Sequence, residues 1–375
     1  MGFPGLVQTS LGGQPPSDAV VRSLRRRRAM LNYWRLMKRI LLFCSRDWRD
    51  PNAGRAEHYC YRVFSRLARE GYQISWVCQE RLARGVGQSQ RQGVEVASGI
   101  QIARLGLPMV YPLMARMLLS RLAKTGRLEE RYDAVADCVQ GRPMPIPDSV
   151  VIPAIPIVFH LARRTAVSED PPSPFVAASH RGREDLQAAG AGEQHIVYAP
   201  HGVDPELSAP EVPEPRERPL VAAVDDKPSP FLSAFTKLDR AGASADLALM
   251  GRQKPRKSVP GMEYHPGLTS RERAEMFQQA AIGFCGIGRE HEAPAMMACG
   301  LPVLGPDTVD GREFVRDGQN GLLYAPGSRA SIEEQLQTLL NDAALRNSLA
   351  ANVRKQVQVT WDQTTETIRT VIERA

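Results

Sequence analysis

Residues 38 to 79, KRILLFCSRDWRDPNAGRAEHYCYRVFSRLAREGYQISWVCQ, decide the fold. KRILLFCS is a continuous apolar run of strand length, and RDWRDPNAGRAEH is a polar loop. YCYRVFSRLAREG carries its apolar residues at helical spacing, with Gly71 to close it, and QISWVCQ is apolar again. A strand, loop, helix and strand in that order build a parallel sheet, because parallel neighbours need a long crossover. The chain is therefore expected to be α/β.

The alternation continues through IQIARLG, a helix LMARMLLSRLAK, the strands DAVADCV, IPIVFHL and PFVAASH, a helix GREDLQAAG and a strand HIVYAPHG. VDPELSAPEVPEPRERP then breaks it, being proline-rich and acidic with no apolar period, as a linker would be. Strands and helices resume at LVAAV and run through FLSAFTKLDRAG, ADLALMG, MEYHPG, SRERAEMFQQA, IGFCGI, PAMMACG and LPVLG to a terminal helical stretch. Thr269 with Glu272 and Ser331 with Glu334 fit capping boxes and place two helix starts. A chain of 375 residues with 43% hydrophobic content is long enough for two cores. The expected organisation is a basic or disordered arm over 1–36, a Rossmann-like domain over 37–205, a linker over 206–218, a second Rossmann-like domain over 219–355 and a terminal segment over 356–375.

Composition excludes several classes of function. Six scattered cysteines with no C-x-x-C pair, and no histidines at zinc-ligand spacing, point to a reducing compartment without a structural metal. The longest apolar runs, ILLFC and VVIPAIPIVF, fall short of the roughly 20 residues of a membrane span. The net charge of +7 is concentrated in RSLRRRRAMLNYWRLMKR, so no general nucleic-acid stripe is expected. That arm, and MVYPLMARMLLSRLAK at 109–124 with Arg116, Arg121 and Lys124, suit an anionic membrane surface, although the latter reads equally as a core-facing helix.

Between roughly 37 and 370 the order of elements resembles the family-4 retaining glycosyltransferases of the GT-B fold, in which two Rossmann-like domains face a cleft. RDPNAGRAEHY is similar to that family's glycine-rich GGAE loop, and YAPHGVD to its PNGVD. MMACGLPVLG with GREFVRDGQNGLLY is similar to its donor-site helix and the segment that follows. The resemblance implies a terminal helix that packs back on the first domain. It also implies metal-independent transfer of a sugar from a nucleotide-sugar donor to a polysaccharide, lipid-linked or small-molecule acceptor. No D-x-D metal motif and no cofactor are implied, and the setting is cytoplasmic or at the inner face of the membrane.

The chemistry suits the matched positions. A departing diphosphate needs cations and helix N-terminal amides, and the reacting sugar carbon must be shielded from water. Donor-binding candidates are Gly54, Arg55, Lys227, Arg252, Arg289 and Glu313; catalytic candidates are His160, Glu290 and Glu292. Asn320 and Gly321 also suit an ordinary turn.

There are departures from the family pattern. Two glutamates seven residues apart are expected ahead of ACG, but alignment places Ile287 and Ala295 there. A deletion of about two residues brings Glu290 onto the first and restores nothing at the second. Arg55 replaces a glycine, and VAAVDDKPSPF keeps Lys227 but has no arginine before it, leaving Arg252 and Arg289 as substitutes. The alternative function is therefore a catalytically degenerate member that binds a nucleotide, a glycan or a partner enzyme; an epimerase acting on nucleotide sugars is a third. The charge in GREHEAPAMMACG then either faces the donor or only caps a helix.

Overall fold

The computed structural model describes residues 38–50, 52–80, 94–204, 207, 217–240, 242, 245–251, 254–256, 258–355 and 359–375. The N-terminal arm, most of the proline-rich linker and Arg252 lie outside the described residues.

Two parallel sheets carry the chain. The first contains β1 (Arg39–Phe43), β2 (Gln73–Cys78), β3 (Glu95–Ala97), β4 (Ile100–Arg104), β5 (Ala134–Gly141), β6 (Ala154–Leu161), β7 (Phe175–Ala177) and β8 (Ile196–Tyr198). Their order is β3-β4-β2-β1-β5-β6-β7-β8, and only β3 is antiparallel to its neighbour. The second contains β9 (Leu220–Val224), β10 (Asp246–Met250), β11 (Met262–His265), β12 (Ile282–Cys285), β13 (Val303–Pro306) and β14 (Gly321–Tyr324), in the order β11-β10-β9-β12-β13-β14. Strand order reverses between β9 and β12. In open α/β sheets the crevice beyond such a reversal is where ligands bind.

The first helix, α1 (Arg55–Arg69), begins earlier than the apolar spacing predicts, and the expected loop loses residues 55–58 to it. The cause is local: the Glu57 carboxylate accepts from the Gly54 N–H at 2.9 Å and fixes the first turn. Glu57 is itself buried. β3 was not legible because it rests on a two-residue turn, Ser98–Gly99, with both φ values positive (53° and 77°).

On one face of the first sheet lie α2 (Tyr111–Lys124) and the short α3 (Arg127–Arg131). Tyr111, Ala115, Leu119 and Ala123 of α2 pack with Leu41, Phe43, Val77 and Val135. Beyond them come α4 (His180–Ala188), with the second sheet α5 (Ser229–Arg240), α6 (Ser270–Gln279), α7 (Ala293–Ala298), α8 (Val309–Phe314), α9 (Arg329–Asn341) and α10 (Ala343–Lys355), and last α11 (Trp361–Arg374). The Thr269–Glu272 capping box forms as expected. The Ser331–Glu334 box does not: α9 is capped one turn earlier by Ser328, and the Ser331 hydroxyl accepts from Ala325 N–H.

The terminal helix returns to the first core. Trp361, Ile368, Val371 and Ile372 join Tyr59, Phe64 and Trp76 there. The crossing is held by Val203 N–H to Val359 O (2.8 Å) and Trp361 N–H to Val203 O (3.1 Å). Gly202 is required at this point, because a Cβ would stand 2.5 Å from the Trp361 nitrogen. Among the described residues no helix is long and apolar enough to cross a membrane.

Trp361 is 3% exposed and lies edge-on to Tyr59 with ring centroids 5.6 Å apart. Trp361→Ala is expected to destabilise the protein by about 3–5 kcal/mol, as for other buried aromatics. Denaturant titration would read this as a lower midpoint.

Candidate functional site

The loop after β9 and the loop after β12 meet at the reversal of the second sheet. Asp225 is buried there, accepting from Lys227 N–H at 2.8 Å. Two glycines make room for it: a Cβ on Gly286 would come within 2.4 Å of its side chain, and one on Gly251 within 2.5 Å of its carbonyl oxygen. Burial raises the Asp225 carboxyl to about 6.

Arg289 crosses to Asp226, with Nε at 3.1 Å and Nη2 at 3.2 Å from the two carboxylate oxygens. Glu292 lies beside it, 2.8 Å from Arg273 and 4.0 Å from Arg289. Burial pushes the Glu292 carboxyl up, but Arg273, His291 and Arg289 together hold it at about 2, so it is ionised at neutral pH. Glu292 stands at the N-cap position of α7, but its side chain makes no capping hydrogen bond. Glu290 accepts from the Thr308 hydroxyl at 3.2 Å.

A cavity of about 620 Å³ opens here, between α1, residues 201–204 and Leu207 on one side and α6 and α7 on the other. Arg289, Glu292 and Arg273 line it, and so does Ala295, the position at which the family pattern expects a carboxylate. Trp48, Arg62 and His58 line it from the first half. Of the eight nominated residues that are described, Arg289 and Glu292 border this cavity.

A second group of nominees forms a seam between the two sheets. Arg55, its side chain 9% exposed, pairs with Asp310 at 3.0 Å. Its guanidinium is sandwiched 5.6 Å from the Phe159 ring and 5.8 Å from the Phe314 ring. Its Nη1 is buried without a hydrogen-bond partner. Glu313 accepts from the backbone N–H groups of His180 (2.7 Å) and Arg181 (3.4 Å), at the positive end of α4. In this conformation its carboxylate is engaged by the first half of the chain. Gly54, at φ −107° and ψ −159°, adopts a backbone open to any residue, and a Cβ there would meet only Glu57 at 3.7 Å.

The remaining nominees stand apart. His160 is exposed near the end of β6, and Lys227 is exposed just ahead of α5. Asn320 is buried and stitches a turn, accepting from Arg316 N–H (2.7 Å) and donating to Phe314 O (3.0 Å). Gly321 is required by the sheet, since a Cβ would lie 2.1 Å from the Val303 oxygen.

Sequence reasoning missed three histidines at the cavity wall. His58 and His291 stack at 5.0 Å, and His201 lies 4.5 Å from the Trp361 ring. Burial, reinforced by Arg55, depresses His201 to about 3. Arg273 and Asp226 were also missed. Both come from stretches whose spacing reads as an ordinary helix or turn, and only the meeting of separate loops reveals them.

Comparisons with known proteins bear on the fold and on the second half of the chain. Residues 269–356, which include Arg273, Arg289, Glu292 and Glu313, match the family described as glycosyl transferases group 1. No curated protein matches the chain. Among solved structures it is similar to sucrose-phosphate synthase from Thermosynechococcus elongatus, at 15% identity and TM-score 0.61, over 90% of this chain and 98% of that one. It is also similar to WaaG, a glycosyltransferase involved in lipopolysaccharide biosynthesis (13%, TM-score 0.59, 88% and 98%). A third is HepE from Anabaena in complex with UDP-glucose (12%, TM-score 0.58, 90% and 100%). The fold is thus the GT-B fold, with two Rossmann-like domains.

The depressed His201 gives a pH signature. The unfolded chain binds a proton at this residue near 6.5, whereas the folded one does so only near 3. Stability is therefore fully present above 6.5 and falls as pH drops toward 3, by about 1.4 kcal/mol per unit. Asp225 and Asp137, both raised to about 6 by burial, act in the opposite sense. They are common to parent and variant, so the comparison isolates His201. Relative to the parent, His201→Asn is expected to gain about 1.4 kcal/mol of unfolding free energy per unit as pH falls from 6.5 toward 4, and parallel curves would count against it.

Proposed function

We propose that this chain is a retaining glycosyltransferase that moves a sugar from a nucleotide-sugar donor to a hydroxyl of a polysaccharide, lipid-linked or small-molecule acceptor, without a metal. The observation that supports this most is the cavity at the reversal of the second sheet. Three of the charged residues that line it, Arg273, Arg289 and Glu292, lie in the segment that matches group 1 glycosyl transferases. The family and the UDP-glucose complex of the similar HepE structure supply the donor class.

In this reading Arg289 leaves Asp226 to neutralise the donor diphosphate, with Lys227 and the first amides of α5 beside it. Glu292 is ionised, held by Arg273 and borders the cavity, so it accepts hydrogen bonds from sugar or ribose hydroxyls. Glu290, tied to Thr308, positions the loop. Arg55, the replacement for the family's glycine, offers its unpaired Nη1 to phosphate once donor charge competes with Asp310. The family resemblance further assigns hydrogen bonds to the donor sugar to His160 and to Glu313, the latter once it releases the His180 and Arg181 amides.

One observation favours the second reading, a degenerate binding protein. Ala295 borders the cavity with a methyl group where the family pattern has its second glutamate.

A thermal-shift and hydrolysis panel of nucleotide sugars separates the two. The enzyme reading expects one donor to stabilise the protein and release its nucleotide. Arg289→Ala should weaken that binding. Glu292→Gln should lower turnover tenfold or more, about 1.4 kcal/mol of transition-state binding, while Glu290→Gln loses less. Stabilisation without nucleotide release would establish the binding reading, and no stabilisation by any donor would reject the enzyme reading and the nucleotide-binding form of the second.

For the acceptor side we infer a lipid surface at α2. The helix buries Tyr111, Ala115, Leu119 and Ala123, so its inward face is core. Its outer face and approach nevertheless expose Met109 (95%), Leu113 (61%) and Met117 (61%), beside exposed Arg116, Arg121 and Lys124. Apolar groups ringed by cations suit an anionic interface. Flotation with anionic liposomes is expected, and Leu113→Glu with Met117→Glu should abolish it. Flotation no better than with neutral vesicles would remove this assignment.

A further inference from the structure

The six cysteines are all free and all buried, and three of them meet. Cys44 follows β1, Cys60 lies in the second turn of α1, and Cys138 lies in β5. Their sulfur atoms all lie within 4.8 Å of one another. Among the described residues, which include every cysteine of the chain, this is the one such trio. Exposures are 2%, 0% and 6%, and the surroundings are apolar: Ile40, Ala56, Tyr59 and Phe159 belong to the same core.

Three sulfurs delivered by three separate elements form a ligand set that one soft centre can bridge. Net charge selects the centre. A divalent ion on three thiolates leaves one negative charge in a core that already holds the Glu57 carboxylate close enough to raise all three thiols. An unpaired charge at such depth is costly. A monovalent ion leaves two. A trivalent thiophilic centre with three thiolates is neutral and suits the apolar surroundings.

We propose that Cys44, Cys60 and Cys138 form a three-thiol binding site for trivalent arsenic, loaded from arsenous acid. Three As–O bonds break and three As–S bonds form, and each departing hydroxide leaves as water with one thiol proton. No electron is transferred and no charge remains. Because the thiols enter protonated, their burial does not oppose the exchange; it only slows it, since entry requires local opening. The site lies under the first two turns of α1, the helix that carries Arg55 at its start, so loading ties β1, β5 and α1 together. The assignment is independent of the sugar-transfer reading.

The test is native mass spectrometry of the reduced full chain after hours with arsenite. One arsenic per chain is expected, with a mass gain equal to arsenic less three hydrogens. Cys285→Ala and Cys299→Ala, in the second half, should load as the parent does. Cys44→Ala, Cys60→Ala and Cys138→Ala should each lose that adduct, with circular dichroism reporting their fold. No adduct, an adduct that retains a hydroxyl (two thiols only), or the hydroxyl-free adduct surviving in a variant of the trio would each overturn the proposal. If a variant fails to fold, the parent's adduct mass still decides, because no other three cysteines of one chain lie within reach of a single centre.

Discussion

The return of the chain at Gly202–Val203 against Val359–Trp361 is the constraint on which the rest of the structure depends. There the terminal segment pairs with the chain leaving the first half, at a distance that allows no side chain on Gly202. Trp361 is thereby pressed between Tyr59 and His201, and α11 is delivered to a core formed some three hundred residues earlier. The same packing strips water from His201 and makes it a neutral wall of the cavity rather than a cation. Tyr59 also donates from its hydroxyl to Ala199 O (2.5 Å), and Thr364 to Pro200 O (2.7 Å), so this junction is hydrogen-bonded as well as packed.

Within that frame the cleft is neutralised by its own charges. Arg289 is held by Asp226, Arg273 by Glu292 and Arg55 by Asp310, while Glu313 takes the amides at the start of α4. Such pairs keep buried cations from being isolated, and a ligand anion gains only the difference between its own attraction and that of the carboxylate it displaces. Asp310 is half exposed and so is the cheapest to displace, leaving Arg55 between its two phenyl rings. Asp226 is more enclosed and binds Arg289 through two nitrogens. This gradation favours Arg55 as the first cation to change partners, even though it is the residue by which the loop departs from the family pattern.

The two halves also differ in what their buried polar groups do. In the first, Glu57 completes the capping of α1, and the cysteine trio lies directly behind it. In the second, Asp225 is surrounded by glycines at strand ends, so the backbone closes around it and its carboxyl rises to about 6. The first half therefore uses burial to fix a helix start, whereas the second uses it to shape the end of a sheet.

The sequence by itself determined the alternation of strands and helices, the two-sheet division and the helix begun at Thr269, because apolar periodicity and capping are local properties. It also carried the likeness of 269–356 to a sugar-transfer segment, since PAMMACG and GREFVRDGQNGLLY retain a recognisable order. It could not place the start of α1, because a buried carboxylate three residues into the helix outweighed the loop-like composition of NAGRAEH. It could not show that Glu290 and Glu292, two residues apart, have different fates: one bonds Thr308 and the other pairs with Arg273 at the cavity wall. It left Asn320 open between turn and site, and only the burial of its side chain made it a turn. Nor could it bring Arg55 to Asp310, Glu313 to α4, or Cys44 to Cys60 and Cys138. Those meetings depend on strand order and on how the two sheets face each other, which join residues far apart in the chain and leave no periodic trace in it.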